Sequence, residues 1–486
     1  MSLQDEKAQT IEVSDKTYQD EVSVIDLIAN ATSPPLSTTR IHRFPRMVKE
    51  PEEYEKYYVP KVVSIGPYHF GNPKLKMVEK LKPLFTKKLF SNDMEALKNL
   101  YNKLSEVERV KELRNYYEEK STDHFSDKVF TNMMLLDGCF ILYYIKFIFG
   151  EKFETCQELK SHQIVFIHQD LFLLENQIPF KVLKEVMNLI KDDDHCFKKI
   201  IPFINENIFA RERPKRRWTC FRNDQSSGEE AKMELENKNS DHLLHLLHQS
   251  LTKKQNTPEN DFKQTMINRC TNFIGCICFV SHNNRCTFRN VNELMDVGID
   301  FKPSGTMSLA HIEFYKSWWF FSANVELPPI TVDDSTKPML LNLVAYEMCS
   351  CDANDSWVTS YICLLDSLID HPEDVKNLRK AGVLDNSLGS DKEVAKLFNE
   401  IGTDLVPNSL AYLEAKNRIQ RHYESWRNTL FSQLKHEYVK SPWAFFALIG
   451  ASIALVLGGV QAYFSVWSPK SQCDDLCLFL KNNHRL

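Results

Sequence analysis

Residues 133–149 read MMLLDGCFILYYIKFIF, and whether this run lies in a bilayer or in a protein core decides the fold. Asp137 and Lys146 interrupt it and leave only eight uncharged residues between them. A membrane span needs about 20 predominantly apolar residues, and a charge inside one is costly. The run therefore reads as a buried core helix, and the chain around it as a large globular domain.

Working outward, Leu75, Val78, Leu81, Leu84 and Phe85 recur at steps of three and four, as do Leu97, Leu100 and Leu104, then Val107 and Val110. That period predicts amphipathic helices. Ahead of them VPKVVSIGPY (59–68) reads as a short extended segment closed by a Gly-Pro turn. On the other side, 164–174 predicts a helix packed on both faces. Pro179 stops it near Gln177, and a second helix starts over 182–190. Glu175, Asn176 and Gln177 stand where they can cap the first of these. Segments 297–302, 309–319 and 324–332 are β-branched and aromatic, which predicts a small antiparallel sheet. From Pro338 the helical period returns, over 357–369, 373–381, 392–401 and 410–439. The expected class is mainly α with a small antiparallel β element (α+β). Residues 41–440 form the domain, residues 1–40 a flexible polar lead, and 210–241 an exposed insertion that runs from basic to acidic.

The other long apolar run behaves differently. Residues 441–469 carry no charge, Lys440 and Lys470 bracket them, and Trp443 and Trp467 stand near the two ends. The 25 residues from Trp443 to Trp467 make about 37 Å of helix against roughly 30 Å of hydrocarbon. This reads as one C-terminal transmembrane helix, 442–467, with the tryptophans as interface anchors and 468–486 as a short tail. Arg421, Arg427, Lys435 and Lys440 precede it, against Lys470, Lys481 and Arg485 after it. That balance favours a cytosolic domain. Gly450, Ala454, Gly458 and Ala462 recur every four residues. Such spacing lets two membrane helices approach closely and points to self-association or a partner helix.

Across 486 residues, 60 Lys and Arg face 65 Asp and Glu, a net charge of −5 that gives no electrostatic reason to expect nucleic acid. The polar first residues contain no apolar signal region, so the chain is expected to begin in the cytosol. Most of the 13 cysteines then read as reduced, buried, small apolar side chains.

The chain has no Gly-rich phosphate loop, dinucleotide fingerprint, His-Glu-x-x-His or Gly-x-Ser-x-Gly. Cys270, Cys276, Cys278 and Cys286, with His282 among them, are irregularly spaced within apolar sequence, and Cys349-x-Cys351 has no second pair. Buried thiols fit these better than zinc. His242, His245 and His248 sit three apart among leucines. They read as the solvated side of an amphipathic helix, with a metal patch or pH-sensitive face as the alternative. Arg211, Arg213, Lys215, Arg216 and Arg217, followed by Trp218, are answered by nearby acids within one loop.

Several phrases together resemble a plant family, domain of unknown function 247. They are VPKVVSIGPYHFG (59–71), MMLLDGCFIL (133–142), QDLFLLENQIPFKVL (169–183), ELPPITVDDST (326–336), LRKAGVLDNSLGSDKEVAKLFNEI (378–401) and Pro-Trp-Ala at 442–444, over a match from 41 to 467. The resemblance implies a plant membrane protein with one C-terminal span and no known cofactor or reaction. Some relatives are associated with pollen self-recognition in grasses, which implies partner recognition. In that family a second His commonly follows the position of His69, where this chain has Phe70, so a paired-His site is not carried over. The expected function is a non-enzymatic recognition or scaffold protein on a membrane, with no catalytic, cofactor or metal residues and no small-molecule substrate. The rival is a membrane-tethered hydrolase or transferase that assembles distant Cys, His and carboxylate groups.

Overall fold

The computed structural model describes residues 39–45, 51–91, 93–148, 158–190, 199–204, 240–253, 289–316, 323–349, 356–403, 405–424, 442–467 and 472–483. In chain order they form α1 (Pro51–Tyr57), α2 (Lys76–Glu79), α3 (Lys82–Leu89), α4 (Met94–Leu104), α5 (Val107–Arg114), α6 (Asp127–Ile148), α7 (Ser161–Asp170), α8 (Phe180–Leu189) and α9 (Leu243–Thr252). After α10 (Val291–Asp296) come β1 (Ile299–Pro303), β2 (Glu313–Lys316), β3 (Ala323–Leu327) and β4 (Ile330–Val332). Then follow α11 (Thr336–Cys349), α12 (Trp357–Leu368), α13 (Pro372–Ala381), β5 (Leu384–Asn386), α14 (Asp391–Gly402) and α15 (Leu413–Tyr423). Beyond these are α16 (Pro442–Val466) and α17 (Gln472–Asn483). The fold is mainly helical with small sheets, as the sequence pattern predicts.

α6 is the centre of the core. It is apolar nearly all round, as a helix enclosed by others must be, and 67% of its apolar window is buried. It packs on α3, α4 and α8. At Gly138 an added Cβ would lie 3.0 Å from Val182 Cγ1 and 3.4 Å from Val186 Cγ2, so the absent side chain sets how closely α8 approaches.

Three expectations are corrected. The small sheets are not simply antiparallel: β2 pairs antiparallel with β3, but β1 pairs parallel with β3 and β4 pairs parallel with β5. The connections explain this, because α11 to α13 intervene between β4 and β5, and a parallel pair requires a long crossover. The helix predicted to run to Gln177 ends at Asp170. Segment 59–68 is irregular rather than a strand, since its backbone is satisfied by side chains instead of by a neighbouring strand. The Gly-Pro turn is present, with Gly66 at φ +76°.

Candidate functional site

The irregular 59–66 segment organises the first cluster of polar groups. Asp170 accepts from the backbone N–H of Lys61, Val62 and Val63 at 2.9, 2.7 and 2.9 Å. Asn176 accepts from Ile65 N at 2.7 Å and donates to Val63 O and Asp170 O. Asp137 accepts from Gly66 N at 2.7 Å. Lys82, only 1% exposed, places Nζ 2.6 Å from Asp137 Oδ1, 2.6 Å from Ser64 O and 2.5 Å from Glu79 Oε1. A buried segment outside any sheet must find partners for its backbone groups, and side chains from three helices and one loop supply them. Three of the quoted phrases therefore meet here. Asn176, bonded to Asp170 O, is the one of the three expected caps that reaches a carbonyl of α7; Gln177 donates to Leu171 O and Leu173 O in the turn beyond it, at 2.8 Å, and Glu175 accepts from Phe44 N and Tyr54 Oη instead.

Burial is the main influence on these acids. It raises Asp137 against the pull of Lys82 and Gly66 N, raises Glu79 likewise, and pushes Asp170 up to about 6 despite its three amide donors. For Glu175 burial pushes up too, but His69, Phe44 N and Tyr54 outweigh it and hold the carboxyl below its usual range. His69 Nε2 lies 3.4 Å from Glu175 Oε2. Phe70 packs edge-on against Phe125.

The histidine face is a fourth correction of the sequence reading. His242 and His248 are buried, not solvated, because α9 packs against both α11 and α12. Tyr346 of α11 lies against all three imidazoles, at ring-centroid distances of 5.3 to 5.6 Å. His242 Nδ1 caps α9 by accepting from His245 N at 3.2 Å, and burial depresses its pKa to about 3. His248 Nε2 is 2.8 Å from Glu347 Oε1. Glu347 also accepts from Val358 N, Thr359 N and Thr359 Oγ1, so a carboxylate of α11 satisfies the orphan donors that open α12.

An open cleft of about 680 Å³ lies elsewhere. Its apolar lining comes from Ile148 at the end of α6, Val165 of α7, Phe172, Leu173 and Met339 of α11. Its polar lining comes from the β4–β5 pair, the turn into α11, and His168 and Gln169 of α7. Register sets Thr331 beside Asp385, and strand alternation buries Ile330, Val332 and Leu384 while turning Thr331 and Asp385 outward. Asp333 Oδ1 accepts from Ser335 N and Thr336 N at 2.9 and 3.1 Å, which starts α11. The reading from sequence missed this cleft. The Asp-x-Ser-Thr preceding an apolar run was the available signal, since it marks a helix start.

The residues singled out at the C-terminus lie on or just beyond α16. Gly450, Ala454, Gly458 and Ala462 are exposed, and an added Cβ at Gly450 or Gly458 would meet nothing within 4 Å. Trp443 and Trp467 are 84% and 70% exposed. Among the described cysteines, Cys139 is buried, Cys349 and Cys363 are half-buried and Cys477 is exposed. Burial pushes Cys139 up to about 12 and the next two to about 11, which makes those three poor nucleophiles. The residues 1–38, the Arg211 cluster, most of the 210–241 insertion and the Cys270–Cys286 group lie outside the described residues. Within the described residues no group of three or more His, Cys, Asp or Glu is arranged to hold a metal ion.

Residues 41–457 match a family described as a plant protein of unknown function. The UPF0481 protein At3g47200 of Arabidopsis thaliana is 27% identical over 441 residues, covering 85% of this chain and 83% of its own. A second UPF0481 protein of that plant, At3g02645, is 23% identical over 482 residues, covering 85% of this chain and 87% of its own. No solved structure gives a significant match.

Proposed function

This chain belongs to the plant family domain of unknown function 247, and on that premise we propose that it is a non-enzymatic recognition or scaffold protein held on a membrane by α16. The observation that carries the reading is α16 itself. Its apolar window from Ile449 to Val466 is 0% buried, an exposure that water tolerates poorly and a bilayer favours. In this reading the domain faces the cytosol, Trp443 and Trp467 sit at the two interfaces, and the bilayer covers the helix between them. The non-enzymatic part is supported by where three raised acids lie: Asp137, Asp170 and Glu79 are tied to backbone and lysine in the interior, and none of them lines the cleft.

Liposome flotation of freshly translated protein tests the anchor. The intact chain is expected to float, and Leu455→Arg combined with Val456→Arg to remain at the bottom, because a central arginine costs about 2.5–3.5 kcal/mol for insertion. Equal flotation of the two would overturn the anchor. The Gly450, Ala454, Gly458 and Ala462 face is the proposed contact for self-association. A two-helix association reporter should give a weaker signal for Gly458→Ile than for the wild-type helix, and equal signals would remove that contact.

A further inference from the structure

Between Trp467 and the first residue of α17 (Gln472–Asn483) stand only Ser468, Pro469, Lys470 and Ser471. Four residues reach at most about 14 Å, and the headgroup layer outside the hydrocarbon is itself about 5–8 Å deep on each side. With α16 across a membrane, the start of α17 is therefore confined to the bilayer surface.

The sequence of α17 suits that place. At about 100° per residue, the positions of Leu476, Phe479 and Leu480 fall within one third of the helix circumference, and those of Asp474, Asp475, Lys481 and Asn482 share the opposite third. Leu478 is the one apolar position on the polar side. Phe479 and Leu480 are 64% and 53% exposed, so no described part of the protein covers their side. A helix of 12 residues is marginal in water by itself, because so few turns hardly offset the cost of nucleation. A surface that buries Phe479 and Leu480 supplies what is missing, and the tether leaves the bilayer as the nearest apolar one. Charge adds little to the attraction: Lys470, Lys481 and Arg485 are nearly matched by Asp474 and Asp475, so no anionic headgroup is required.

We propose that α17 is an interfacial helix that lies along the membrane surface, with Phe479 and Leu480 in the boundary between headgroups and acyl chains and Lys481 and Asn482 facing water. This rests on the reading of α16 as the anchor and gives the span a second membrane contact at its C-terminal end. Lying flat beside Trp467, α17 holds that end of α16 at one depth.

The test uses the full chain, one copy to each phosphatidylcholine nanodisc, with a trace of the same lipid carrying a photoreactive diazirine on an acyl chain. Hydrogen exchange and lipid adducts are both mapped by mass spectrometry. In the wild-type chain α16 and α17 should both be protected and both carry adducts. Phe479→Ser with Leu480→Ser should speed exchange in α17 at least roughly tenfold and remove its adducts, whereas Leu478→Ser should leave both readouts unchanged. α16 should stay protected and labelled in every variant. Adding phosphatidylserine to about a third of the lipid should change exchange in α17 by less than about twofold.

If α16 carries no adducts, the anchor reading falls and this proposal with it. Adducts on α16 with none on α17, or exchange in α17 unaltered by the double variant, would overturn this proposal alone. Equal loss from Leu478→Ser would overturn it too, since the helix would then have no membrane side. So would protection that appears only at two copies per disc, which would assign the Phe479 and Leu480 side to a second copy of the chain.

Discussion

α6 and α16 are 22 and 25 residues long, and both are apolar enough to cross a bilayer by length and composition. One is 67% buried over its apolar window and the other 0%. The difference is legible in their charges. α6 carries Asp137, which finds Lys82 and Gly66 N inside the domain, and Lys146 in its last turn. α16 carries no charge at all. A charge in a long apolar helix thus reports a protein partner, whereas its absence leaves the helix without a polar reason to be enclosed by protein.

Breaking the polar anchor of α6 should have the largest effect. Lys82→Met leaves Asp137 buried without its cation and is expected to destabilise the domain by about 3–5 kcal/mol, read from denaturant unfolding in detergent. Adding Asp137→Asn should recover part of that loss. A loss under about 1 kcal/mol for Lys82→Met would mean that the ion pair does not hold α6 in place.

Acid provides the next handle, because the interior titrates and α16 does not. His242 is held neutral with a pKa near 3, against 6.5 when exposed. Its depressed value means that its contribution is complete above 6.5 and is lost as pH falls towards 3. Asp170 has the opposite sign: raised from 3.8 to about 6, it favours folding below 3.8 and loses that contribution as pH rises through 6. The wild-type profile mixes the two, so the informative quantity is the gap to His242→Asn, in which Asn can still cap α9. Between pH 7 and 4 that gap should shift by about 2–3 kcal/mol in the variant's favour. Removal of α16 should leave the profile unchanged.

Glycines sharpen the contrast at smaller scale. At Gly66 an added Cβ would meet Gln177 O at 2.4 Å with φ at +76°, whereas Gly71 has φ +83° and open space. Gly66→Ala should therefore cost more than the roughly 1–3 kcal/mol of backbone strain, and Gly71→Ala no more than that strain. Gly138→Val should cost about 1–3 kcal/mol by forcing α8 away. Gly458→Val should change unfolding of the domain by less than about 0.5 kcal/mol. Similar losses at 138 and 458 would contradict the distinction between the two helices.

Periodicity made most of the helices legible, including α6 as a core element, α12 to α14 and the pair α7 and α8. Strand direction was not legible, because β4 and β5 are short and their parallel pairing depends on a crossover through α11 to α13. The burial of His242 and His248 was hidden for a related reason: the pattern shows that α9 has an apolar side, but not that a second helix covers the other. No local pattern marks Lys82 as buried, and only the fold places it beside Asp137. The cleft arises only when 164–173 meets 331–339 and 385–387, a juxtaposition that no local pattern carries.

The central claim, that α16 is the sole membrane anchor and α6 a core helix, is tested most directly by carbonate extraction of membranes carrying either the full chain or a chain lacking residues 442–486. The full chain should stay in the pellet and the shortened chain should appear entirely in the supernatant. Retention of the shortened chain in the carbonate-washed pellet would contradict the claim and return α6 to consideration as a span.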